Sequence, residues 1–373
     1  MTTPRVWNHD AGGVVDRRGV EPPKPACHGG CGAQYGINGV ARLGTVDDAI
    51  TLRNVTKTFG STTAVAGMDL SIPSGGLYGF IGPNGAGKTT TIRMIMSILF
   101  PDSGELRVLG RASALEAKDR IGYLPEERGV YRKMRVSGFL NYMARLKGLT
   151  DADVARRVPQ LLERVGLEGA ERKRCEELSK GMTQKVQIIA AIIHQPDLLI
   201  LDEPFSGLDP VSTRLLRDMI LEEHRRGATV LFSTHVMPQA EEICEHVVMV
   251  HRGRKVLDES LATIRRRSDV RKIYFDPLDP DADVSPIGSL AEVERLGRSD
   301  DGHAHEIRLV EGSDPAAAIR RIAGAVPPAR IELARPRLED IFVGIVAGER
   351  ASVDSERELR AQLRDADAAG AAS

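Results

Sequence analysis

The sequence predicts an α/β protein whose parallel sheet is built around a glycine-rich loop. Short apolar strands alternate with helical segments, a pattern typical of parallel sheets covered by helices. Leu77–Ile81 is predicted to be a strand, residues 82–88 a glycine-rich loop, and 89–100 a helix. Two later apolar runs, 197–204 and 228–233, have the length of buried strands and end in polar side chains. These side chains are expected at one edge of the sheet.

Composition limits the classes of protein that fit the chain. Its 373 residues are enough for two or three domains, and 51 basic residues nearly balance 52 acidic ones. No overall charge therefore indicates nucleic acid as the main partner. Four cysteines are too few for a disulfide framework, which suits a reducing cytoplasm. We expect no secretory signal and no membrane span, because no apolar stretch approaches the roughly 20 residues that a spanning helix needs.

Residues 1–48 are predicted to be an extension without a fold, because proline, glycine and charge leave little apolar surface to bury. Cys27, His28 and Cys31 within it could be metal ligands. Their spacing is unusual and no second cluster lies nearby in the sequence, so a dispensable tail or a misassigned start codon is the favoured interpretation.

The glycine-rich loop fits the pattern Gly-x4-Gly-Lys-Ser/Thr, with Gly82, Gly87, Lys88 and Thr89 at the fixed places. Glycines let the main chain approach a phosphate closely, and a helix N-terminus adds its positive dipole end. Lys88 is expected to reach the β- and γ-phosphates, and the Thr89 hydroxyl to ligate magnesium. The alternative is a glycine-rich turn with a bystander lysine. The strand before the loop and the helix after it favour a nucleoside triphosphate site.

Other segments supply the surroundings of this loop. Residues 49–59 and 64–72 alternate apolar and polar side chains, as half-buried strands of an antiparallel layer do. In 178–196, an apolar stripe at helical spacing follows Ser179, which stands where an N-cap belongs. Residues 214–226 are predicted to be helical, and 247–259 to form a closing hairpin.

Three polar residues at the ends of the apolar runs have the chemistry that phosphoryl transfer to water needs. Asp202 suits a magnesium ligand, Glu203 a general base that orients the attacking water, and His235 a contact to the γ-phosphate. By themselves, the carboxylates could be solvated at a turn, and His235 could be an ordinary loop residue. The phosphate loop upstream favours the catalytic interpretation.

The chain resembles the ATP-binding subunits of ABC transporters over residues 49–265, with every family motif in the family's order. Residues 82–90 match the Walker A loop, 198–203 match Walker B with its catalytic glutamate, and 206–209 match the D-loop, which contains Asp209. His235 matches the switch histidine, and Phe59 the aromatic that stacks on adenine, although alone it could be a core residue at a strand end. The implied nucleotide-binding residues are Phe59, Gly82, Pro83, Asn84, Gly85, Ala86, Gly87, Lys88, Thr89 and Thr90, and the implied signature residues are Ser179, Lys180, Gly181 and Met182.

The resemblance implies a P-loop NTPase fold of the ABC cassette type. It has a parallel sheet core, an antiparallel β layer and a helical subdomain, here at about 130–177. The cassette is expected over 49–267, a small α+β C-terminal domain over 268–347, and a charged tail over 348–373. Strands at 270–277, 305–310 and 330–334, with helices near 316–323 and 338–346, make up the predicted C-terminal domain.

The chain departs from the family pattern at two places. Glu126 stands where glutamine is usual, and a carboxylate can ligate magnesium as an amide oxygen can. Lys180 and Met182 stand where glycine and glutamine are commoner in the signature. Both changes resemble ABC-2-type exporters that carry a small C-terminal domain, a subgroup with sodium- and drug-efflux ATPases. The implied magnesium ligands are Thr89, Glu126 and Asp202, and the implied catalytic residues are Lys88, Glu203 and His235.

The resemblance also implies cofactors and partners. ATP with Mg²⁺ is expected between the Walker A loop of one subunit and the signature helix of a second ATP-binding subunit, identical or different. Closure would drive a transmembrane permease, so the chain is expected to be cytoplasmic and peripheral at the inner face of the cell membrane. Arg132 and Lys133 are expected near the permease, although this basic cluster could be only a solvated helical face. The substrate depends on the permease.

Two other functions fit a single cassette less well. A soluble ABC ATPase that acts on DNA or ribosomes usually has two cassettes or a long coiled-coil insertion, and neither is visible here. A regulatory sensor that binds ATP without hydrolysing it does not need catalytic residues, so the presence of both Glu203 and His235 argues against this function. The sequence therefore favours an exporter ATPase with no nucleic-acid partner.

Overall fold

A computed structural model describes residues 48–127, 129–267, 271–299, 304–334 and 337–347. Most of the predicted N-terminal extension, with Cys27, His28 and Cys31, lies outside the described residues. Only its last residue, Asp48, is described, and it is the first residue of β1. The predicted charged tail also lies outside the described residues. Within the described part of the chain, no helix is long and apolar enough to cross a membrane.

The described residues form three sheets and the helices that cover them. The strands are β1 Asp48–Phe59, β2 Thr62–Pro73, β3 Leu77–Ile81, β4 Ser103–Val108, β5 Ile121–Leu124, β6 Leu198–Asp202, β7 Thr229–Thr234, β8 His246–His251, β9 Arg254–Ser260, β10 Lys272–Pro277, β11 Val293–Arg298, β12 His305–Leu309 and β13 Pro328–Leu333. The helices are α1 Lys88–Ile95, α2 Val136–Leu146, α3 Asp151–Arg164, α4 Lys180–Ile192, α5 Pro210–Arg225, α6 Met237–Ile243, α7 Leu261–Arg267, α8 Ser285–Gly288, α9 Pro315–Ala325 and α10 Leu338–Ala347.

The central sheet has six strands in the order β5-β6-β7-β3-β8-β9. The first five are parallel and β9 pairs antiparallel with β8, so the predicted parallel α/β core and the closing hairpin are confirmed. Every residue of β6 and β7 is buried, because helices and the second sheet cover both faces. The carboxyl ends of β3, β6 and β7 lie side by side, which brings the residues after them together.

The predicted antiparallel layer is a three-stranded sheet in the order β2-β1-β4. Its buried side chains, such as Ile50 and Met68, share a core with Phe80 of β3 and Ile92 of α1. The helix that follows the phosphate loop is therefore held between this layer and the central sheet.

The region predicted to be helical between 130 and 177 contains α2, α3 and a short 3-10 turn, Cys175–Glu177. Thr150 caps α3 by accepting a hydrogen bond from the Asp153 amide at 3.2 Å. Phe139 and Leu162 from these helices share a core with Val186 of α4. The helical region thus packs on the helix that begins at the signature motif.

The C-terminal residues form a four-stranded antiparallel sheet in the order β11-β12-β10-β13, with α9 packed on one face. An α+β unit was predicted here, but strand β11 was missed. Helix α10 was predicted to end this unit. Instead, its side chains Leu338 and Phe342 share the cassette core with Met237 and Ala240 of α6.

Several predicted helix limits were wrong. The helix after the phosphate loop begins at Lys88 and ends at Ile95, not at Phe100. Ser97 has a left-handed backbone (φ 55°), and its hydroxyl contacts Ser113 Oγ at 3.0 Å. Helix α5 begins at Pro210, four residues before the predicted start, because Asp209 caps it and proline suits a first turn. Helices α6 and α7 were not predicted.

Candidate functional site

The phosphate loop connects β3 to α1 and depends on glycine at its last position. Gly87 has a left-handed backbone (φ 103°), and a Cβ there would lie 2.4 Å from the Ala64 carbonyl oxygen. A larger residue would both strain the backbone and clash with the neighbouring strand β2. The helix begins at the next residue, so its free N–H groups face the loop. The loop is therefore built to hold an anion.

Lys88 is buried and its ammonium group turns back into the loop. Its Nζ donates to the carbonyl oxygens of Gly82 at 2.7 Å and Pro83 at 3.3 Å. Nζ also lies 3.7 Å from Glu203 Oε1. Burial lowers the pKa of Lys88, while Glu203 and Asp202 act in the opposite direction. These neighbours favour the charged ammonium that a phosphate contact requires.

Asp202 and Glu203 stand at the end of β6, beside Ser233 and His235 at the end of β7. The Ser233 hydroxyl donates to Asp202 Oδ1, and the Glu203 amide donates to the Ser233 carbonyl oxygen at 3.2 Å. His235 Nδ1 lies 2.8 Å from Glu203 Oε1. Glu203 is held by these contacts in a left-handed backbone conformation (φ 48°). Its carboxylate therefore lies within reach of both Lys88 and His235.

The three predicted magnesium ligands meet in the structure. Thr89 Oγ1 lies 3.4 Å from Asp202 Oδ1 and 3.4 Å from Glu126 Oε2. Burial raises the pKa of Asp202, and its Oδ2 has no hydrogen-bond partner among the described residues. A buried carboxylate oxygen without a donor is costly, and a hard cation would satisfy it. These oxygen ligands fit Mg²⁺.

A purely protein metal site is absent from the described residues, where no group of three His, Cys, Asp or Glu side chains could hold an ion. A magnesium ion at Thr89, Glu126 and Asp202 would need further oxygens from phosphate and water. Such a ligand set is common for magnesium bound together with a nucleotide.

The signature residues lie at the start of α4. Ser179 is exposed and caps the helix, because its Oγ accepts a hydrogen bond from the Met182 amide at 3.2 Å. Gly181 and Met182 are half-buried in the first turn, and Lys180 extends toward Gly207. An exposed, capped helix start can face an anion bound by another molecule.

Asp209 is the N-cap of α5, and its carboxylate is used to cap that helix. Its carboxylate accepts from the amides of Val211 and Ser212 at 3.0 and 2.9 Å, and from the Ser212 hydroxyl at 2.7 Å. These hydrogen bonds lower the pKa of Asp209, and the largest effect comes from Ser212. The preceding Gly207 has a left-handed backbone (φ 68°), which gives the segment its turn.

Phe59 lies on the surface at the end of β1, with 48% of the residue exposed. Lys57 Nζ stands over its ring, 5.6 Å from the centroid. An interpretation as a strand-end core residue is therefore wrong. An exposed ring is available for stacking on a planar ligand.

Some residues of the site were not singled out in the sequence. Ser233, whose hydroxyl donates to Asp202, stands two positions before His235. Its position near the end of the same predicted strand could have indicated that it belongs to the site. The pKa of Tyr123 on β5 is raised to about 12, first by burial of its side chain and second by the negative charge of Asp202. Gln184 donates to the Pro204 carbonyl oxygen at 2.5 Å. Gln184 lies four residues after Lys180, so the sequence could have placed it on the same face of the predicted helix as that signature residue.

Comparison with known proteins gives one family. The family model described as ABC transporter matches residues 65–206. A Bacillus subtilis protein, the uncharacterized ABC transporter ATP-binding protein YhaQ, is 40% identical over 294 residues, which cover 79% of this chain and 97% of that relative. The Nod factor export ATP-binding protein I of Cupriavidus metallidurans is 36% identical over 249 residues, which cover 65% of this chain and 82% of that relative.

A solved structure, described as the ATP-binding subunit of an ABC transporter, has the same fold. The TM-score is 0.55 at 31% sequence identity, and the match covers 59% of this chain and 92% of the solved one. The chain is thus similar to the two relatives in sequence and to the solved structure in fold.

Proposed function

The chain belongs to the ABC transporter family of ATP-binding subunits and hydrolyses ATP, and we propose that it energises a membrane exporter of the ABC-2 type. Subunits of this family work with transmembrane permeases. The relative that serves Nod factor export supports export as the direction of transport. The place of action would then be the inner face of the cell membrane, where the chain would bind peripherally to its permease.

The observation that carries the catalytic assignment is the position of the Glu203 carboxylate. It lies between the Lys88 ammonium at 3.7 Å and the His235 ring at 2.8 Å, directly after the buried strand β6. In this role Glu203 orients the attacking water and accepts its proton, His235 holds the carboxylate and meets the γ-phosphate, and Lys88 binds the β- and γ-phosphates.

Thr89, Glu126 and Asp202 would hold Mg²⁺, which neutralises charge on the phosphate oxygens when bound. The support is the two 3.4 Å contacts of the Thr89 hydroxyl with these carboxylates. Ser233 keeps Asp202 in place by donating to its Oδ1. The ring of Phe59 would stack on adenine, since nearly half of that residue is exposed.

Hydrolysis in this proposal needs two ATP-binding subunits. Ser179 caps a helix whose positive end is exposed, and the chain has one phosphate loop and one signature motif. A second copy, or a related subunit, would place its signature residues on the nucleotide held by the first. ATP binding then closes the pair, and hydrolysis opens it.

The permease would contact the helical region near Arg132 and Lys133, both of which are exposed. Lys147, at the C-terminal end of α2 in the same region, has a different role. Its ammonium donates to the carbonyl oxygen of Ile121 at 2.7 Å, so it anchors α2 to the central sheet.

The test uses the Glu203→Gln variant. It should bind ATP, accumulate as a dimer and lose hydrolysis by about 10²–10⁴-fold, the usual contribution of a general base. The tagged variant would be purified with Mg²⁺ and ATP from detergent-solubilised membranes, and its companions identified by mass spectrometry. Stoichiometric recovery of a polytopic membrane protein is the expected result.

Two outcomes would contradict the proposal. Normal turnover by Glu203→Gln would remove the catalytic assignment. Recovery as a soluble dimer alone, or with ribosomes or DNA, would favour a soluble ABC ATPase. The matched control is Glu245→Gln, which changes an exposed glutamate directly before β8. This control should hydrolyse ATP at the rate of the unaltered chain.

A further inference from the structure

Three polar residues of α4 lie on one side of the helix and line one cavity. Lys180, Gln184 and Gln187, here called the polar stripe, are spaced i, i+4 and i+7, so they share a helix face. The cavity has a volume of about 300 Å³, and its other walls are Pro125, Glu126, Glu127 and Ser206. The polar stripe therefore faces the Glu126 loop and the segment that follows Glu203.

Two members of the polar stripe already have contacts across the cavity. The side chain of Lys180 lies against Gly207, where an added Cβ would be 2.4 Å from Lys180 Cε. Gln184 Nε2 donates to the Pro204 carbonyl oxygen at 2.5 Å. The first two turns of α4 are thus tied to the segment between Glu203 and Asp209.

The third member, Gln187, lacks such a contact. It is only 8% exposed, and its Nε2 has no hydrogen-bond partner among the described residues. A Cβ built on Gly129 would lie 3.9 Å from this nitrogen, so the amide faces the loop that follows Glu126. Burying an amide donor without an acceptor costs stability. A buried glutamine at this place calls for an acceptor on the opposite wall of the cavity.

Glu126 is the acceptor that fits best. The other carboxylate on that wall, Glu127, is 86% exposed and has Arg93 Nη2 at 3.4 Å from its Oε1. Glu126 instead uses its Oε2 toward the Thr89 hydroxyl, which leaves a second carboxylate oxygen. A hydrogen bond from a neutral amide to a carboxylate is among the stronger ones in proteins, and it favours the charged form.

We propose that Gln187 is a positioning residue for Glu126: its side-chain amide donates to the Glu126 carboxylate and holds it toward Thr89 and Asp202 when magnesium and ATP bind. The inference rests on the proposed function of Glu126 as a magnesium ligand. The inference gives the buried amide of Gln187 on α4 an acceptor, the Glu126 carboxylate in the facing loop.

The experiment measures how much Mg²⁺ is needed for ATP binding. The parent is the full chain with Glu203→Gln, in which ATP is bound without turnover. Equilibrium binding of a fluorescent ATP analogue is followed at increasing Mg²⁺, with and without Gln187→Met, which keeps the length and removes the donor. We expect Gln187→Met to need about tenfold more Mg²⁺ for half-saturation, as loss of one hydrogen bond to a charged group predicts. Binding in EDTA should change less than twofold.

A double-mutant comparison separates positioning from a general packing effect. In a chain that also carries Glu126→Ala, the change Gln187→Met should alter the Mg²⁺ requirement by less than twofold, because the acceptor side chain is gone. Gln187→Glu, which has the same shape but repels Glu126, should raise the Mg²⁺ requirement at least as much as Gln187→Met. Gln160→Met, an exposed glutamine on α3, is the matched control.

The outcomes are distinguishable. An unchanged Mg²⁺ requirement in both Gln187 variants overturns the inference, and so does a tenfold increase that persists with Glu126→Ala. Failure of the parent itself to bind the ATP analogue with Mg²⁺ would instead contradict the proposed function. Thermal melting of each variant checks that it is folded, and Gln187→Glu provides the measurement if Gln187→Met is not.

Discussion

At the scale of single residues, the site concentrates charge where water is excluded. Asp202 is buried under the sheet edge, and its second carboxylate oxygen has no donor within the described part of the chain. Burial therefore raises the pKa of Asp202 above its ordinary value of 3.8. A group with a raised pKa binds protons more readily in the folded chain, so its favourable contribution is present at low pH and is lost as pH rises through the raised value.

We predict that Asp202→Asn stabilises the chain in the absence of nucleotide. Asparagine keeps an oxygen that accepts from Ser233 and removes the buried charge, so the melting temperature at pH 7 should rise by about 2–4 °C. Differential scanning fluorimetry at several pH values measures this. The gain should shrink as the pH is lowered, because Asp202 in the unaltered chain becomes protonated.

The same change should remove the effect of Mg²⁺ on ATP binding, since one of the proposed ligands is lost. A melting temperature that falls at pH 7 would show that the Asp202 charge is already compensated in the folded chain. Asp218→Asn, which changes a residue in the middle of α5, serves as the control for loss of one negative charge.

At the scale of elements, the end of α4 is joined to β5 by half-buried polar contacts. A ring nitrogen of His194, Nε2, lies 3.2 Å from the Ile121 carbonyl oxygen, which also accepts from Lys147 at 2.7 Å. The other ring nitrogen has no partner among the described residues, so the neutral ring donates from Nε2. Burial lowers the pKa of His194 to about 4.

This junction predicts sensitivity to acid. The folded chain keeps His194 neutral down to about pH 4, while the unfolded chain protonates it near pH 6.5. Its contribution to stability is thus complete above pH 6.5 and is lost as pH falls toward 4. In His194→Gln, which can still donate to Ile121, the loss of unfolding free energy over this range should be smaller by at most about 1.4 kcal/mol per pH unit.

Urea unfolding at pH 7, 6, 5 and 4 checks this prediction. His224→Gln is a suitable control, because that histidine is paired with Glu245 at 3.3 Å and lies outside the junction. Parallel stability curves for the unaltered chain and His194→Gln would contradict the assigned role of His194.

At the scale of the whole molecule, helix α10 connects the C-terminal unit to the cassette. The Leu338 amide donates to Glu241 Oε1 on α6, and the ring of Phe342 lies 5.8 Å from the ring of His251 at the end of β8. Helix α6 begins two residues after His235. Packing of α10 therefore affects the helix that follows His235.

Phe342→Ala should detach α10. Phe342 is fully buried, and removal of a buried phenylalanine side chain costs about 3 kcal/mol. We expect the amides of α10 to lose protection against hydrogen exchange, while those of β6 and β7 keep it. Ile345→Ala, on the exposed side of the same helix, is the matched control. Equal protection of α10 in both variants would contradict this packing role.

Segments whose structure depends mainly on residues close by in the sequence were predicted from the sequence alone. The phosphate loop is one of these, because its glycine spacing and the helix that follows are local properties of a short motif, although the helix begins at Lys88, one residue before the predicted start. The fully buried strand β6 is another, since the uninterrupted apolar run of four residues before Asp202 fits a covered parallel strand. The parallel α/β core and the order of the motifs along the chain followed from such local patterns.

Contacts between distant residues were decided only by the tertiary structure. Glu203 meets His235 because β6 pairs with β7 in one register, and no local pattern specifies that pairing. Helix α1 ends at Ile95, and just beyond this end the Ser97 hydroxyl contacts Ser113 Oγ, sixteen residues away in the sequence, at 3.0 Å. Helix α10 is apolar enough to pack on either unit, and its place on α6 follows from which surface was left to cover. Sequence patterns report which faces are buried, whereas the partner of each face depends on the whole fold.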